Sequence, residues 1–217
     1  MLLSVDWDYF SGCREFVFDA PIWGSPDREF DRTEAWKIRA QKRGGDLDSD
    51  FLLLEDWQVL LGLAGLPTYA ALSHSSAYGL LEDLRLPGVV NLDSHHDLYS
   101  QSGDPTRVRA GNWAGLALQH GLVQHYTCIY PSWHKQLPVA EGFDLTRTWA
   151  EIGNRFGQNV VRLERCAVEQ IDFAGFTGLL LVQSPAWTSP RHDWAFLELC
   201  SGLGAVVLEP PPIRRPD

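Results

Sequence analysis

Seven short apolar runs recur along the chain, divided by Gly, Pro and polar residues: LLSVDW, TYAALS, GVVNLD, YTCIYP, NVVRLE, GLLLVQS and GAVVLEP. They are rich in Val, Leu and Ile and alternate little. Strands of that kind are buried on both faces, as in a parallel sheet. Helical stretches separate several of them, at 52–63, 77–84, 113–120, 145–156 and 194–199. The alternation of strand and helix predicts an α/β fold. Two polar stretches broken by Gly and Pro read as loops, 19–50 and 100–111. The tail PPPIRRPD is expected to be extended or frayed. No internal repeat is visible, and residues 1–217 fit a single domain.

Polar residues interrupt this pattern in three places. The first run, LLSVDWDYF, carries Asp6 and Asp8 among Val5, Trp7, Tyr9 and Phe10. An uncompensated carboxylate in such surroundings costs several kcal/mol or stays protonated, on the order of the penalty for an unpaired buried charge. The second place is GVVNLDSHHDLYS, where Asp93, His95 and Asp97 follow a buried strand at i, i+2 and i+4. On an extended backbone their side chains share one face. Two carboxylates and an imidazole brought together repel and desolvate one another unless a cation compensates. The third is His74, which ends the run TYAALS. Alone it reads as an ordinary hydrogen-bonded histidine.

Taken together, Asp6, Asp8, His74, Asp93, His95 and Asp97 supply four carboxylates and two imidazoles. Four negative charges balance two divalent cations. Oxygen-rich sites with one imidazole each suit Mn(II), with Fe(II), Co(II) or Zn(II) as other occupants. Two such ions side by side lower the pKa of a shared water to near neutrality. This reading places the first strand in the middle of the sheet, near the strands that end at His74 and Asp93.

Composition narrows the partners. Eighteen basic against 28 acidic residues leave a net charge of −10, which argues against nucleic acid. Nine Trp residues serve equally as core filling and as pocket walls. The opening MLLSVDWDYF lacks a basic n-region and no window approaches a membrane span, so a cytoplasmic protein without membrane association is expected. Cys13, Cys128, Cys166 and Cys200 are scattered and read as free thiols.

The metal-ligating set resembles that of the arginase and agmatinase (ureohydrolase) family. His74-Ser75 stands for its His-Ser motif, Asp93-Ser94-His95-His96-Asp97 for its D-A-H-x-D, and Ser4-Val5-Asp6-Trp7-Asp8 for its S-x-D-x-D. The chain is more similar still to an arginase-like group that includes the peptide arginases. That resemblance rests on Asp93-Ser94-His95-His96-Asp97-Leu98, Asn112-Trp113, Tyr130-Pro131-Ser132-Trp133 and Asp6-Trp7-Asp8-Tyr9-Phe10, covering about residues 68–134 and the first dozen. It implies an arginase/deacetylase-like three-layer sandwich with a mainly parallel central sheet. Here the sheet would be circularly permuted, because the S-x-D-x-D strand comes first.

The resemblance further implies that Asp93 and Asp6 bridge two Mn(II), with His74 and Asp97 completing one site and His95 and Asp8 the other. The implied reaction turns arginine side chains of a ribosomally made precursor peptide into ornithine and urea, by hydroxide attack on the guanidinium carbon. Arginases carry a proton-shuttling His where this chain has Ala114, so either another group moves protons, with His96 and His120 as the candidates, or solvent protonates the leaving amine. Glu209 corresponds to the carboxylate that holds the guanidinium. Tyr99, Asn112 and Trp113 are expected to line the pocket. The competing readings are a small-molecule guanidino hydrolase, a single-zinc amide deacetylase and a non-catalytic domain with a structural metal.

Overall fold

The computed structural model describes residues 1–12, 32–43, 47–99, 104–138 and 140–215. Its strands are β1 (Leu2–Asp6), β2 (Ser11–Gly12), β3 (Leu52–Leu53), β4 (Thr68–Ala71), β5 (Gly88–Leu92), β6 (His125–Pro131), β7 (Val161–Cys166), β8 (Gly178–Val182) and β9 (Val206–Val207). Its α-helices are α1 (Arg32–Arg43), α2 (Leu47–Asp50), α3 (Ser76–Leu84), α4 (Trp113–Gln119), α5 (Leu145–Ile152) and α6 (Asp193–Gly202). Seven strands form one sheet in the order β7-β6-β5-β1-β8-β4-β9, and each of its pairings is parallel. β2 and β3 form a separate antiparallel pair.

The lack of alternation in the apolar runs has a direct cause, since helices cover both faces. Leu2, Leu180 and Val182 face one layer with Ala77, Leu81, Trp113, Ala117 and Ile152. Leu3, Val5, Leu179 and Leu181 face the other, with Trp57, Leu60, Ala195, Phe196 and Leu199. The result is an α/β arrangement consistent with a three-layer sandwich. Every residue of β1 and β8 is buried, as expected for strands covered on both sides.

β1 is the fourth of seven strands, paired with β5 on one side and β8 on the other. β4 follows beyond β8. The expected central position of the first strand therefore holds. Because the strands are parallel, their carboxyl ends, and the residues that follow, meet at one edge of the sheet.

Several local expectations differ. Residues 52–63 are not an α-helix but the short β3 followed by a 3-10 helix, Trp57–Leu63, which Asp56 caps by accepting from the Gln58 N–H. Within 19–50, α1 and α2 are helical, and residues 13–31 lie outside the described set, as does Cys13. The described cysteines are free. The tail is anchored through residue 215. Ile213 exchanges two hydrogen bonds with the Gln183 side chain, and Arg215 pairs with buried Asp193. Among the described residues, no helix is long and apolar enough to cross a membrane.

Candidate metal centre

β1 ends at Asp6, and the chain turns at once into a 3-10 turn, Trp7–Tyr9. Asp6 caps that turn, its Oδ1 accepting from the Asp8 N–H at 3.0 Å. Asp8 thus leaves the strand and reaches a different place from Asp6. A similar turn follows β5. Residues 93–95 are bent rather than extended, and Asp97 takes a left-handed backbone with φ 53°. A non-glycine residue there is uncommon, although Asp tolerates it best. These two turns replace the one-face geometry expected from i, i+2 spacing. They divide the ligands between two places.

The first place surrounds His74. Its Nδ1 lies 3.0 Å from Asp6 Oδ2, 3.1 Å from Asp93 Oδ2 and 3.0 Å from Asp97 Oδ2. Despite those three oxygens, Nδ1 has no partner in hydrogen-bonding geometry. The opposite nitrogen, Nε2, is 2.7 Å from Ser4 Oγ. A ring nitrogen facing three carboxylate oxygens in this way could serve a metal ion as a ligand. The spacing agrees, because ligand atoms about 2.1 Å from an ion in octahedral geometry lie ~3 Å from one another.

The second place surrounds His95, whose Nδ1 lies 3.1 Å from Asp8 Oδ2 and 3.6 Å from Asp93 Oδ1. Asp6, His74 and Asp93 form one group able to hold a metal ion, and Asp8, Asp93 and His95 form another. Asp93 is common to both and directs one oxygen to each. Asp6 contributes to the first group only, so the geometry singles out Asp93 as the shared carboxylate. The His74 side chain is 1% exposed and that of His95 29%, so solvent reaches the pair from the His95 side.

The surrounding residues hold the ligands in place. Trp113 donates its indole N–H to Asp97 Oδ2 at 2.7 Å and stacks on His74 at 4.8 Å. Asn91 donates to Asp93 Oδ2 and the His95 backbone N–H to Asp93 Oδ1. Ser184, itself at φ 48°, donates to Asp6 Oδ2. The Ser94 N–H donates to Asp8 Oδ1, and Trp187 packs on His95. Such outer contacts fix the tautomer and orientation of metal ligands.

The electrostatics are those of carboxylates and imidazoles crowded together out of water. Burial, then the charges of Asp6 and Asp93, push the Asp8 carboxyl well above its ordinary range. Burial and the charge of Asp93 push Asp97 up to about 8. Burial opposes charge on His74 and His95, but the facing carboxylates outweigh it and raise both imidazoles. Burial likewise opposes charge on Asp93, and the two imidazoles overcome it and hold that carboxyl well below its usual range. Four carboxylates ionise together here only if positive charge joins them. The two raised imidazoles supply part of that charge when protonated, and one or more metal ions could supply it at neutral pH.

The other sequence candidates lie around this centre in different ways. His96 is buried; its Nδ1 accepts from the Leu98 N–H, and its backbone N–H donates to Glu141 Oε1. His120 sits at the far end of α4 from Trp113, about 10 Å along the helix, with Nδ1 2.6 Å from the Tyr78 hydroxyl. Tyr99 is half-buried against His96, with the Arg155 guanidinium over its ring. Asn112 spends its amide on the loop, accepting from the Arg109 N–H and donating to the Arg107 carbonyl. Trp113 is fully buried, so it positions Asp97 and offers no face to a substrate. Glu209 is exposed beyond β9, the strand next to β4. Sequence reasoning missed Ser4, Asn91, Ser184 and Trp187. Ser4 carried a signal, standing at i−2 from Asp6 and so on its face of β1.

The chain matches no family model, no curated protein and no solved structure.

Proposed function

We propose that the protein is a binuclear manganese hydrolase that converts arginine side chains of a peptide to ornithine with release of urea. The observation that carries this reading is the pair of ligand groups joined at Asp93, each with one imidazole and an excess of carboxylate. A donor set of that kind suits Mn(II), and two such ions acidify water and polarise the bond it attacks. The substrate class rests on the likeness of the DSHHDL, NW, YPSW and DWDYF segments to those of the peptide arginases. The same likeness supports reading the sheet as an arginase-like one in permuted order.

In this reading His74, Asp6, Asp97 and Asp93 hold one ion, and His95, Asp8 and Asp93 the other. Ser4 and Trp113 keep His74 and Asp97 in the orientation those roles need. The guanidinium approaches from the His95 side, where the centre is open. A C–O bond forms from water to the guanidinium carbon, and the bond from that carbon to the side-chain nitrogen breaks. Water supplies both protons that the departing amine nitrogen gains, so a cationic guanidinium becomes a cationic ammonium and neutral urea. His96 is the assigned proton carrier. Its Nδ1 is occupied by the Leu98 N–H, so its proton resides on Nε2, 3.9 Å from Glu141 Oε1. His120 has no part in this reading, and Glu209 keeps the guanidinium-holding role by resemblance alone.

The test is incubation of manganese-loaded protein with arginine-containing peptides, free arginine and agmatine. The expected outcome is urea together with a loss of about 42 Da from the peptide, as hydrolysis by metal-activated water requires. Urea from small substrates alone moves the assignment to a small-molecule guanidino hydrolase. No urea from any guanidino compound removes both.

A further inference from the structure

Ser184 and Trp187 stand on one loop that follows β8. The Ser184 hydroxyl donates to Asp6 Oδ2, and Trp187 packs on His95 with ring centroids 4.9 Å apart. Ser184 reaches Asp6 from a left-handed backbone, φ 48°. A side-chain-bearing residue keeps that conformation only where its surroundings over-determine it. The bonds that do so are local. The Ser184 N–H donates to the Leu72 carbonyl, and its own carbonyl accepts from the Trp187 N–H at 2.9 Å. The Thr188 hydroxyl lies 3.1 Å from that same carbonyl and 3.0 Å from the Gln183 carbonyl.

Arg215 grips this loop from a distant part of the chain. Its Nη1 donates to the Pro185 carbonyl at 2.5 Å, and its Nη2 lies 3.4 Å from Thr188 Oγ1. The rest of the fork holds Asp193, with Nε 2.9 Å from Oδ2 and Nη2 2.7 Å from Oδ1. Asp193 is fully buried, so it needs a cation, but a cation alone does not need the Pro185 carbonyl. The bidentate pair fixes the plane of the guanidinium, and the fixed plane aims Nη1 at the loop. On the other side of Ser184, the Gln183 side chain exchanges two hydrogen bonds with the Ile213 backbone. The segment that carries Arg215 therefore holds the loop at 183, 185 and 188, before and after Ser184.

We propose that Arg215 is a positioning residue of the metal centre, acting through the loop to hold Ser184 against Asp6. The inference rests on the metal-binding part of the reading above and is independent of the substrate. Arg215 fixes the Pro185 carbonyl and Thr188, and these close the left-handed turn at Ser184. The Ser184 hydroxyl in turn fixes Asp6 Oδ2, the oxygen 3.0 Å from His74 Nδ1. Without the grip, Ser184 relaxes to an ordinary backbone and its hydroxyl leaves Asp6. Asp6 is then free to turn away from His74, and the ligand group loses its preformed geometry.

The experiment combines Arg215→Met with Asp193→Asn, so that no buried charge is stranded, and compares this pair with wild type, with Ser184→Ala and with all three changes together. Thermal unfolding in chelator reads the fold, and calorimetric titration with manganese reads the centre. The paired variant is expected to unfold in chelator near the wild-type temperature, as for a buried ion pair replaced by neutral groups. It should bind manganese about 10- to 100-fold more weakly, the usual loss when a partner that orients a ligand is removed. Ser184→Ala should lose affinity by a similar factor, and the triple variant little more, because residues acting in one line do not add. Arg215→Lys keeps a charge for Asp193 without the fork, and should fold while binding manganese weakly. Wild-type affinity in the paired variant overturns the inference and leaves the function standing. Losses that multiply in the triple variant overturn it too, because Arg215 would then act elsewhere than through Ser184. Failure of both the paired variant and Arg215→Lys to fold in chelator also overturns it, since the role would be structural. A wild type that binds no manganese removes the proposed function and this inference together.

Discussion

Replacing Asp97 by Asn separates the cost of the carboxylate cluster from its use. Asn has nearly the shape of a protonated Asp, tolerates the left-handed backbone at this position, and offers an oxygen to the Trp113 indole. In the ion-free protein the Asp97 carboxyl is pushed up to about 8 from an ordinary 3.8. A raised carboxyl stabilises the fold fully below the unfolded value, and that contribution is lost as pH rises through the folded one. At pH 7 the folded chain must still carry a proton that the unfolded chain has released. Each pH unit above 3.8 costs ~1.4 kcal/mol, so the upper bound at pH 7 is about 4 kcal/mol. Asn never bears this cost. Metal-stripped Asp97→Asn is therefore expected to be more stable than metal-stripped wild type at pH 7. In a domain of this size that bound corresponds to a rise of about 10 °C in Tm. The advantage should vanish near pH 4.

Manganese narrows the gap. An ion at 100 times its Kd stabilises the wild type by about 2.7 kcal/mol, and the variant, missing one ligand, should gain less at the same concentration. Thermal unfolding in chelator and in manganese, at pH 4 and pH 7, measures all four quantities. The reasoning fails if the stripped variant is less stable than wild type at pH 7, or if manganese stabilises both proteins equally. Either result would mean that the carboxylates form a self-sufficient hydrogen-bonded cluster.

Three further substitutions probe what holds the centre. Ser4→Ala should leave His74 Nε2 buried and unpaired at a cost of ~1–3 kcal/mol, and should weaken metal binding by about 10- to 100-fold, read by metal titration. Gly115→Ala would place a Cβ 1.8 Å from the Leu98 carbonyl oxygen, so α4 must move away from the turn whose Asp97 carbonyl its first amides bind. Lower Tm, by at least the ~1–3 kcal/mol of ordinary overpacking, together with reduced metal content is the expected pair of readings. Arg215→Ala strands the fully buried Asp193 carboxylate and should cost about 3–5 kcal/mol, a fall of roughly 10 °C in Tm.

The side chains that meet at the sheet edge were legible in the sequence because each is written next to an apolar run that identifies its strand. Asp6 follows LLSV, His74 follows TYAALS, and Asp93 follows GVVNL. The sequence spacing misled where it was converted into geometry. Asp6 and Asp8 are two residues apart, but the cap that Asp6 forms on the turn at Trp7 sends Asp8 to the other group. The supporting residues were hidden for a different reason. Ser184 bonds Asp6 across 178 positions of chain, and Ser4 bonds His74 across 70. Such pairings exist only once the strand order is known. That the tail is held and not frayed could not be read from the sequence, because its anchors, Gln183 and Asp193, give no local sign that they will hold it.

Strand order also explains how two acids at the end of β1 come to share a centre with residues that follow β4 and β5. In a parallel sheet every strand delivers its following residues to the same edge, so a site depends on which strands are neighbours and not on their sequence in the chain. β5 lies directly beside β1, which lets Asp93 stand between the two groups. β4 is separated from β1 by β8, and the gap at the edge is bridged by His74 on one side and Ser184, just past β8, on the other. Asp6 is the residue both of them reach. A shift of β1 to another position in the sheet would separate Asp6 from His74 and Asp8 from His95 at once. The apolar residues that fix β1 in the centre, Leu2 and Leu3 on its two faces, are therefore as necessary to the centre as the carboxylates that form it.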